Sequence, residues 1–424
     1  MNRRRFLCDA TLATASVAAT GGLTGCLHRA SKPTRAAAAS VPPNLAPDLP
    51  EDACHLVPVH VSRDRVIRSV VGLRPYRPSG FRVEREQLGD STVVHNYGHG
   101  GGGITLCWGT SKVAFDLGVP GHTGPVAVLG SGVIGLTTAR LLQDAGFAVT
   151  VYTKALPPNT TSNIAGGQWA PANVYGDPDA LSQTFTEQYL FACRFAYERY
   201  QILTPSRYGV RWMRNFSLSR TPFPPAQPPA PSTPGKLSVH SATHPFMPER
   251  KVIPQGEHPF GDLYCSQFDG LLIEPPLFLD ALTTDFRIAG GTFVVGEIHT
   301  PAEIQALPQK LVFNCTGLGA KALFHDAELT PVRGQLTFLV PQPEVTYATV
   351  FEATYMFSRR DGVLLGGTHD EGNWSLEVDP ETVTQKLAEQ AELFGHMRSC
   401  SVRDSSARLP GMASAVERAM RLDG

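Results

Sequence analysis

The stretch that decides the fold is Val126 to Lys154, VAVLGSGVIGLTTARLLQDAGFAVTVYTK. Val126–Leu129 is a short apolar, β-branched run of the kind that forms a buried parallel strand. Gly130-Ser131-Gly132-Val133-Ile134-Gly135 follows as a G-x-G-x-x-G pattern. Leu136, Ala139, Leu142 and Ala145 then recur at helical spacing, Gly146 closes the helix, and Ala148–Tyr152 reads as a second strand. Each glycine has a mechanical reason. The first permits a tight turn, the second lets backbone approach a pyrophosphate, and the third lets helix pack on strand. The helix N-terminus offers unpaired N–H groups and a partial positive charge to phosphates. Gly-rich turns are common, but a complete strand–turn–helix–strand unit points to a bound dinucleotide.

The chain of 424 residues can build two domains, each with a sizeable core. Its net charge is −1, and no Lys/Arg run follows the first residues, so the electrostatic footprint of a nucleic-acid binder is missing. Arg3-Arg4-Arg5-Phe6-Leu7 precedes an Ala/Thr-rich stretch and then Leu23-Thr24-Gly25-Cys26. That stretch is too short and polar for a lasting membrane span. Residues 1–26 are similar to a twin-arginine export signal ending in a lipoprotein cleavage box, with Cys26 as the lipid-modified residue; a plain basic tail is the alternative. The expected location is therefore outside the cytoplasm, in a bacterial envelope or periplasm, with the membrane touched only through the lipid on Cys26. Residues 27–50, rich in Ala, Pro and Ser, read as a tether.

Cys54, Cys107, Cys193, Cys265, Cys315 and Cys400 show no C-x-x-C and no His spacing suited to zinc, so no metal site is expected. Cys107 and Cys315 sit in apolar runs as core thiols. An exported protein can carry a disulfide, but spacing does not say which cysteines pair.

From Glu51 the chain reads as a globular body. Arg65–Leu73 alternates as a strand and runs into Arg74-Pro75-Tyr76-Arg77-Pro78, whose prolines keep their preceding residues extended. Val83–Leu88 and Val93-Val94 mark further strands. Then come His95-Asn96-Tyr97-Gly98-His99-Gly100-Gly101-Gly102-Gly103 and a helix over Ile104–Phe115. Glycines in that number leave the backbone bare for close approach by something flat or charged. After the fingerprint, Pro157–Asn163 and Ala165–Trp169 form a hydroxyl- and glycine-rich loop. Helices are expected over Leu181–Leu203, Pro275–Gly290, Glu381–Phe394 and Ala413–Leu422. Strands are expected at Thr292–Val295, at Lys310–Phe313 ending in Asn314-Cys315-Thr316-Gly317, and two or three times within Tyr347–Gly367. Thr221–Pro234 reads as a proline-dense surface excursion.

With GLRPYRPSGFRVEREQL, VVHNYGHGGGG followed by LCWG, the fingerprint and NCTG in view, the chain resembles the D-amino acid oxidase family, which includes D-aspartate oxidases. The likeness covers residues 51 to 395. In that family the fingerprint opens the chain and the Arg-Pro and HNYGHGG segments close it. Here residues 65–115 come first, so the sequence looks circularly permuted, with Gly118–Gly124 as the new joint. The resemblance implies an α/β and α+β fold: a Rossmann-like FAD-binding domain with a mixed-sheet substrate-binding domain. The expected partition is 51–180 with 286–335 for FAD, 181–285 with 336–395 for substrate, and a tail at 396–424.

The resemblance also implies site roles. Arg74 matches the arginine that grips the substrate carboxylate, a task suited to a planar guanidinium. Tyr355 matches a tyrosine reaching the same carboxylate, and Phe351 stands where a second, lid-borne tyrosine is usual. Gly101 matches the glycine whose carbonyl accepts from the substrate amine. Gly100, Gly102, Gly103 and Thr105 match groups around the flavin. Thr161, Ser162, Gly166, Gly167 and Gln168 match further FAD contacts, beside Gly130, Gly132, Val133, Ile134 and Gly135. Lys154 stands where NAD enzymes carry an acid for the ribose, which argues against NAD. The implied reaction takes a D-amino acid to its imino acid with hydride leaving for flavin N5, then oxygen to hydrogen peroxide and the imine to a 2-oxo acid and ammonia. His95 and His99 are expected to hold their loop rather than act as bases. No second arginine or histidine stands out for the pocket, which puts neutral D-amino acids slightly ahead of D-aspartate. A quinone acceptor, a non-catalytic FAD-binding relic and a homodimer remain alternatives at this stage.

Overall fold

The computed structural model describes residues 53–203, 206–224, 249–398 and 400. The export signal, the tether, the excursion beyond Pro224 and the helix expected over Ala413–Leu422 lie outside the described residues. The main elements in chain order are β1 (Val66–Tyr76), β2 (Arg82–Leu88), β3 (Ser91–Tyr97), α1 (Gly103–Gly118), β4 (Val126–Leu129), α2 (Val133–Asp144), β5 (Val149–Thr153) and α3 (Gln183–Ile202). Then follow β6 (Val210–Ser219), β7 (Lys251–Ile253), β8 (Tyr264–Ile273), α4 (Pro275–Ile288), β9 (Thr292–Val295), β10 (Leu311–Asn314) and β11 (Thr330–Leu339). The last are β12 (Tyr347–Phe351), β13 (Thr354–Arg359), β14 (Gly362–Gly366) and α5 (Pro380–Gly395).

Among the described residues these strands form two sheets. The smaller runs β2-β3-β10-β4-β5-β9, parallel throughout except for the antiparallel edge strand β2. Every residue of β4 is buried, because β10 and β5 flank it and helices cover its face. A strand with no solvent face can afford only apolar residues, which is why VAVL lacks alternation. Val126–Leu129 is thus the interior strand its composition predicts.

The larger sheet runs β1-β11-β14-β13-β12-β6-β8-β7, with the short strand Asp370–Glu371 also on β11. One face packs on α5 through Phe216, Leu218, Met356, Val363, Leu387 and Phe394. The other carries Met213, Leu336, Phe338, Phe357 and Leu364, and turns toward the hydroxyl- and glycine-rich loop through Ile164.

The expected partition of the chain needs correction. β1, assigned from sequence to the FAD-binding part, pairs with β11 in the larger sheet from Val66↔Leu339 to Tyr76↔Thr330. β11 itself crosses the boundary drawn at 335. Conversely α3 and α4, assigned to the substrate part, pack on α1 and α2. Alternation in Arg65–Leu73 identifies a strand but not its partner. The buried face of α3, Phe185, Tyr189, Ala192, Cys193 and Ala196, fits either neighbour equally well.

Cys54 and Cys400 form a disulfide with Cα atoms 5.3 Å apart and a sequence separation of 346. Cys107, Cys193, Cys265 and Cys315 are free and buried, and burial pushes each thiol up to about 12, as inert core thiols require. Among the described residues no helix is long and apolar enough to cross a membrane, and no cluster of metal-ligating side chains is present.

The two loop histidines are structural. His95 is buried in β3, its ring nitrogens facing Glu86 Oε2 at 2.9 Å and the Asn314 amide at 3.1 Å. His99 is buried against Thr110 Oγ1 at 2.9 Å and stacks on Phe81. Burial drives its pKa from 6.5 down to about 3, so it is neutral in the folded protein and protonates on unfolding below about pH 6.5. The stability it contributes is full above pH 6.5 and is lost as pH falls toward 3. Unfolding by urea at stepped pH should show a slope of up to about 1.4 kcal/mol per unit in that window. His99→Gln should flatten the slope.

Candidate active site

The fingerprint turn is built by exclusion of side chains. Gly130 has φ +97°, and a Cβ there would lie 2.6 Å from the Cys315 carbonyl oxygen. A Cβ on Gly135 would lie 1.9 Å from the Gly130 carbonyl oxygen, so α2 could not seat against the turn. The first bond closing α2 runs from the Leu136 N–H to the Gly132 carbonyl at 3.0 Å. The amides of Ile134 and Gly135 therefore stand at the open end of the helix. The neighbouring Val133 N–H donates to Ser162 Oγ at 3.0 Å. Cys315 donates its N–H to the Leu129 carbonyl at 2.9 Å, bringing Asn314-Cys315-Thr316 alongside.

Three sequence-distant segments thus enclose one cradle: the fingerprint, the turn Thr161–Ile164, and the end of β10. Lys154 follows β5, exposed, 3.5 Å from Glu297, so no acid follows β5 directly. Bare glycine backbone, a helix N-terminus and the Ser162 hydroxyl fit the pyrophosphate of a dinucleotide.

The loop Gly100–Gly103 is as bare as its sequence suggests, but a protein segment already approaches it. Gly101 donates its N–H to the Asn173 carbonyl at 2.9 Å, and a Cβ on Gly100 would lie 2.3 Å from that same oxygen. The Thr105 hydroxyl donates to the Ala170 carbonyl at 3.0 Å and accepts the Ala170 N–H at 3.1 Å. The Gln168 amide donates to Asn215 Oδ1 at 2.6 Å, and Arg359 takes the carbonyls of Ala165 and Gly166. Thr105 and Gln168 therefore act by shaping the 165–174 segment. Gly167, at φ +96°, accepts the Ile273 N–H and fastens that segment to β8.

Tyr76 bridges to His99, so the end of β1 meets this loop. Arg74 stands two residues before that crossing and Gly101 two after it, which brings the expected grip and the glycine loop together. The Arg74 Nη1 donates to the Thr368 carbonyl at 3.2 Å, and the guanidinium lies near enough to the Tyr355 phenol to act on its titration. Burial raises the Tyr355 pKa while Arg74 and Arg359 pull it down, and it remains raised, so the phenol keeps its proton. A guanidinium and a phenol side by side form a donor pair, and no carboxylate of the described residues pairs with Arg74. Arg77 is different: its Nε is held by Asp326 at 3.0 Å, so it serves the fold.

Sequence reasoning missed what lies beneath the pair. A Cβ on Gly334 would come within 2.5 Å of the Arg74 guanidinium, and one on Gly366 within 2.3 Å of the Tyr355 ring. Gly367 continues that floor, and Gly166 closes over the edges of Phe357 and Tyr355. The G-Q of Pro331–Gln335 and the Gly366-Gly367 pair were the available signals, but glycine in a strand is equally a bulge or bend.

Phe351 is a correction. It pairs with Thr354, whose hydroxyl bonds the Gly366 carbonyl and accepts from Gln390 of α5. Phe351 packs with the core on that side, with the Arg220 guanidinium 5.2 Å over its ring. Successive strand residues face opposite ways, so the side chain sharing a face with Tyr355 is its cross-strand partner Val350.

A family model described as FAD dependent oxidoreductase (DAO) matches residues 16–117 and 125–408. A D-amino-acid oxidase of Streptomyces coelicolor is 32% identical over 308 residues, covering 71% of this chain and 86% of that protein. A D-amino-acid oxidase of Rubrobacter xylanophilus is 31% identical over 290 residues, covering 67% and 82%. Human D-aspartate oxidase is 28% identical over 289 residues, covering 66% and 80%. FAD is accordingly the cofactor, and the chain belongs to the DAO family of FAD-dependent oxidoreductases.

Proposed function

We propose that this enzyme oxidises D-amino acids to 2-oxo acids, consuming oxygen and water and releasing ammonia and hydrogen peroxide. The observation that carries the reading is the Arg74–Tyr355 pair, a guanidinium and a protonated phenol set on a glycine floor with no carboxylate partner among the described residues. Two such donors suit an α-carboxylate, which the guanidinium takes through parallel charge-assisted bonds. FAD, when bound, supplies the two-electron acceptor. Arg74 and Tyr355 orient the amino acid, and the Gly101 carbonyl accepts from its amine in this reading.

Neither histidine of the loop supplies a base. His99 is buried and neutral, and His95 is enclosed between Glu86 and Asn314. The amine therefore reaches the site neutral, having lost its proton to solvent. Arg74→Ala should lower kcat/KM for the best D-amino acid roughly 30- to 5,000-fold, the equivalent of about 2–5 kcal/mol for truncating one partner of a buried charge pair. FAD content should change little. The measurement is anaerobic loss of flavin absorbance with a panel of D-amino acids, followed by peroxide yield in air. A wild-type flavin that no D-amino acid reduces refutes the reading, and reduction without peroxide moves the acceptor to a quinone.

The order of segments has its own explanation. We infer a circular permutation joined at Gly118–Gly124. The family match breaks between 117 and 125, and β3, which precedes the fingerprint, extends its parallel sheet with β2 as an antiparallel edge. The other end of the permuted body is where Cys54 and Cys400 meet. A variant opened within Gly118–Gly124, with Cys400 linked to Ala53 by a short Gly/Ser peptide, should bind FAD with or without the cysteines. Failure of that variant to fold and hold FAD would count against the permutation.

Export belongs to the same proposal. A disulfide suits an oxidising compartment, as the resemblance of residues 1–26 to a twin-arginine lipoprotein signal suggests. Changing Arg3, Arg4 and Arg5 to Lys should leave the full-length protein in the cytoplasmic fraction.

A further inference from the structure

The face that carries Tyr355 continues across two more strands. Tyr355 of β13 pairs with Val350 of β12, and Val350 pairs with Ser217 of β6. At strand spacings near 4.8 Å this row is roughly 10 Å long. Val350 and Ser217 also line a cavity of about 130 Å³, with Gln168, Trp169 and Phe268 among its other walls. Gln168 lies two residues from Gly166, which approaches the Tyr355 ring, and Val350 is the cross-strand partner of Tyr355, so the cavity adjoins the Arg74–Tyr355 pair.

This cavity holds a cation. Arg250 enters it just ahead of the edge strand β7. The residue as a whole is exposed, yet its guanidinium lies 4.6 Å over the Phe268 ring and donates through Nη1 to Ser217 Oγ at 2.9 Å. Partial burial disfavours its charge, and no carboxylate of the described residues pairs with it. The nearest acid on β8, Asp269, pairs instead with Arg214 at 2.8 Å, while its neighbours Phe268 and Gly270 line the cavity. Trp169, a second wall, has a buried indole N–H without an acceptor. Aromatic walls with two under-used donors suit an anionic group attached to an apolar stem.

We propose that this cavity receives the substrate's side chain and that Arg250 binds a carboxylate at its end, making acidic D-amino acids of the length of aspartate or glutamate the preferred substrates. The inference rests on the oxidase reading above and departs from the neutral preference that the sequence favoured. Arg74 takes the α-carboxylate at one end of the row and Arg250 the side-chain carboxylate at the other. Arg250 determines specificity and takes no part in the electron transfer.

The test is steady-state oxidation by purified holoenzyme of D-glutamate, D-aspartate and, as the neutral reference, D-methionine, for wild type and Arg250→Met. Wild type should favour the better acidic substrate by at least about tenfold in kcat/KM. In Arg250→Met the acidic-to-neutral ratio should fall at least about a hundredfold, chiefly through KM, as expected when a polar site loses its partner. A wild type that prefers D-methionine, or a ratio unmoved by the substitution, overturns this inference and leaves the oxidase reading standing. A wild-type flavin reduced by none of the three, nor by any other D-amino acid, overturns both.

Discussion

A flat polar group can lie against a main chain only where the main chain carries no Cβ. The site depends on that constraint at both ends. Gly130 and Gly135 let the fingerprint turn fold against α2 and the end of β10, which leaves bare backbone at the helix N-terminus. Gly334, Gly366 and Gly367 let the Arg74 guanidinium and the Tyr355 ring lie on the larger sheet. An added methyl at any of these would meet carbonyl oxygen, guanidinium nitrogen or ring carbon at 2.6 Å or less, well inside contact distance. What the glycines provide is proximity, and the chemistry follows from what is then brought close.

The second dependence is the crossing of β1 with the glycine loop at Tyr76 and His99. β1 belongs to the larger sheet and β3 to the smaller one, and the chain passes between them through Arg77–Phe81. Arg77 secures the passage: its Nε and Nη1 hold Asp326 and the Gly80 carbonyl at 3.0 and 2.8 Å. Tyr97 donates to the same aspartate at 2.8 Å. Arg74 and Arg77 look alike in the sequence, three residues apart between prolines. Their partners separate them, one bonded only to backbone carbonyls and the other held in an internal ion pair.

Much of this was legible in the chain. Uninterrupted apolar runs at Val126–Leu129 and Leu311–Phe313 mark strands buried on both faces, and helical spacing after Gly135 marks α2. The HNYGHGG motif and Arg74 were informative because each residue has a narrow physical use there. The sheet to which β1 belongs was not legible, because alternation carries no record of the partner strand. Phe351 was misplaced for a related reason: motif alignment gives position along a strand, whereas facing depends on register with β13. Arg250 could not be found at all. It belongs to none of the recognised motifs, and only the pairing of β12 with β6 brings it beside Val350.

The bridge between Cys54 and Cys400 gives the molecule the connectivity of a loop, closed across a sequence separation of 346. Both sheets lie inside that loop. A protease that cuts once at any peptide bond between the two cysteines therefore leaves a single covalent particle, with both fragments still tied through sulfur. Separation requires a second cut or a reductant. In an oxidising compartment the body would survive a nick as one piece, and the nick would show only on a reducing gel.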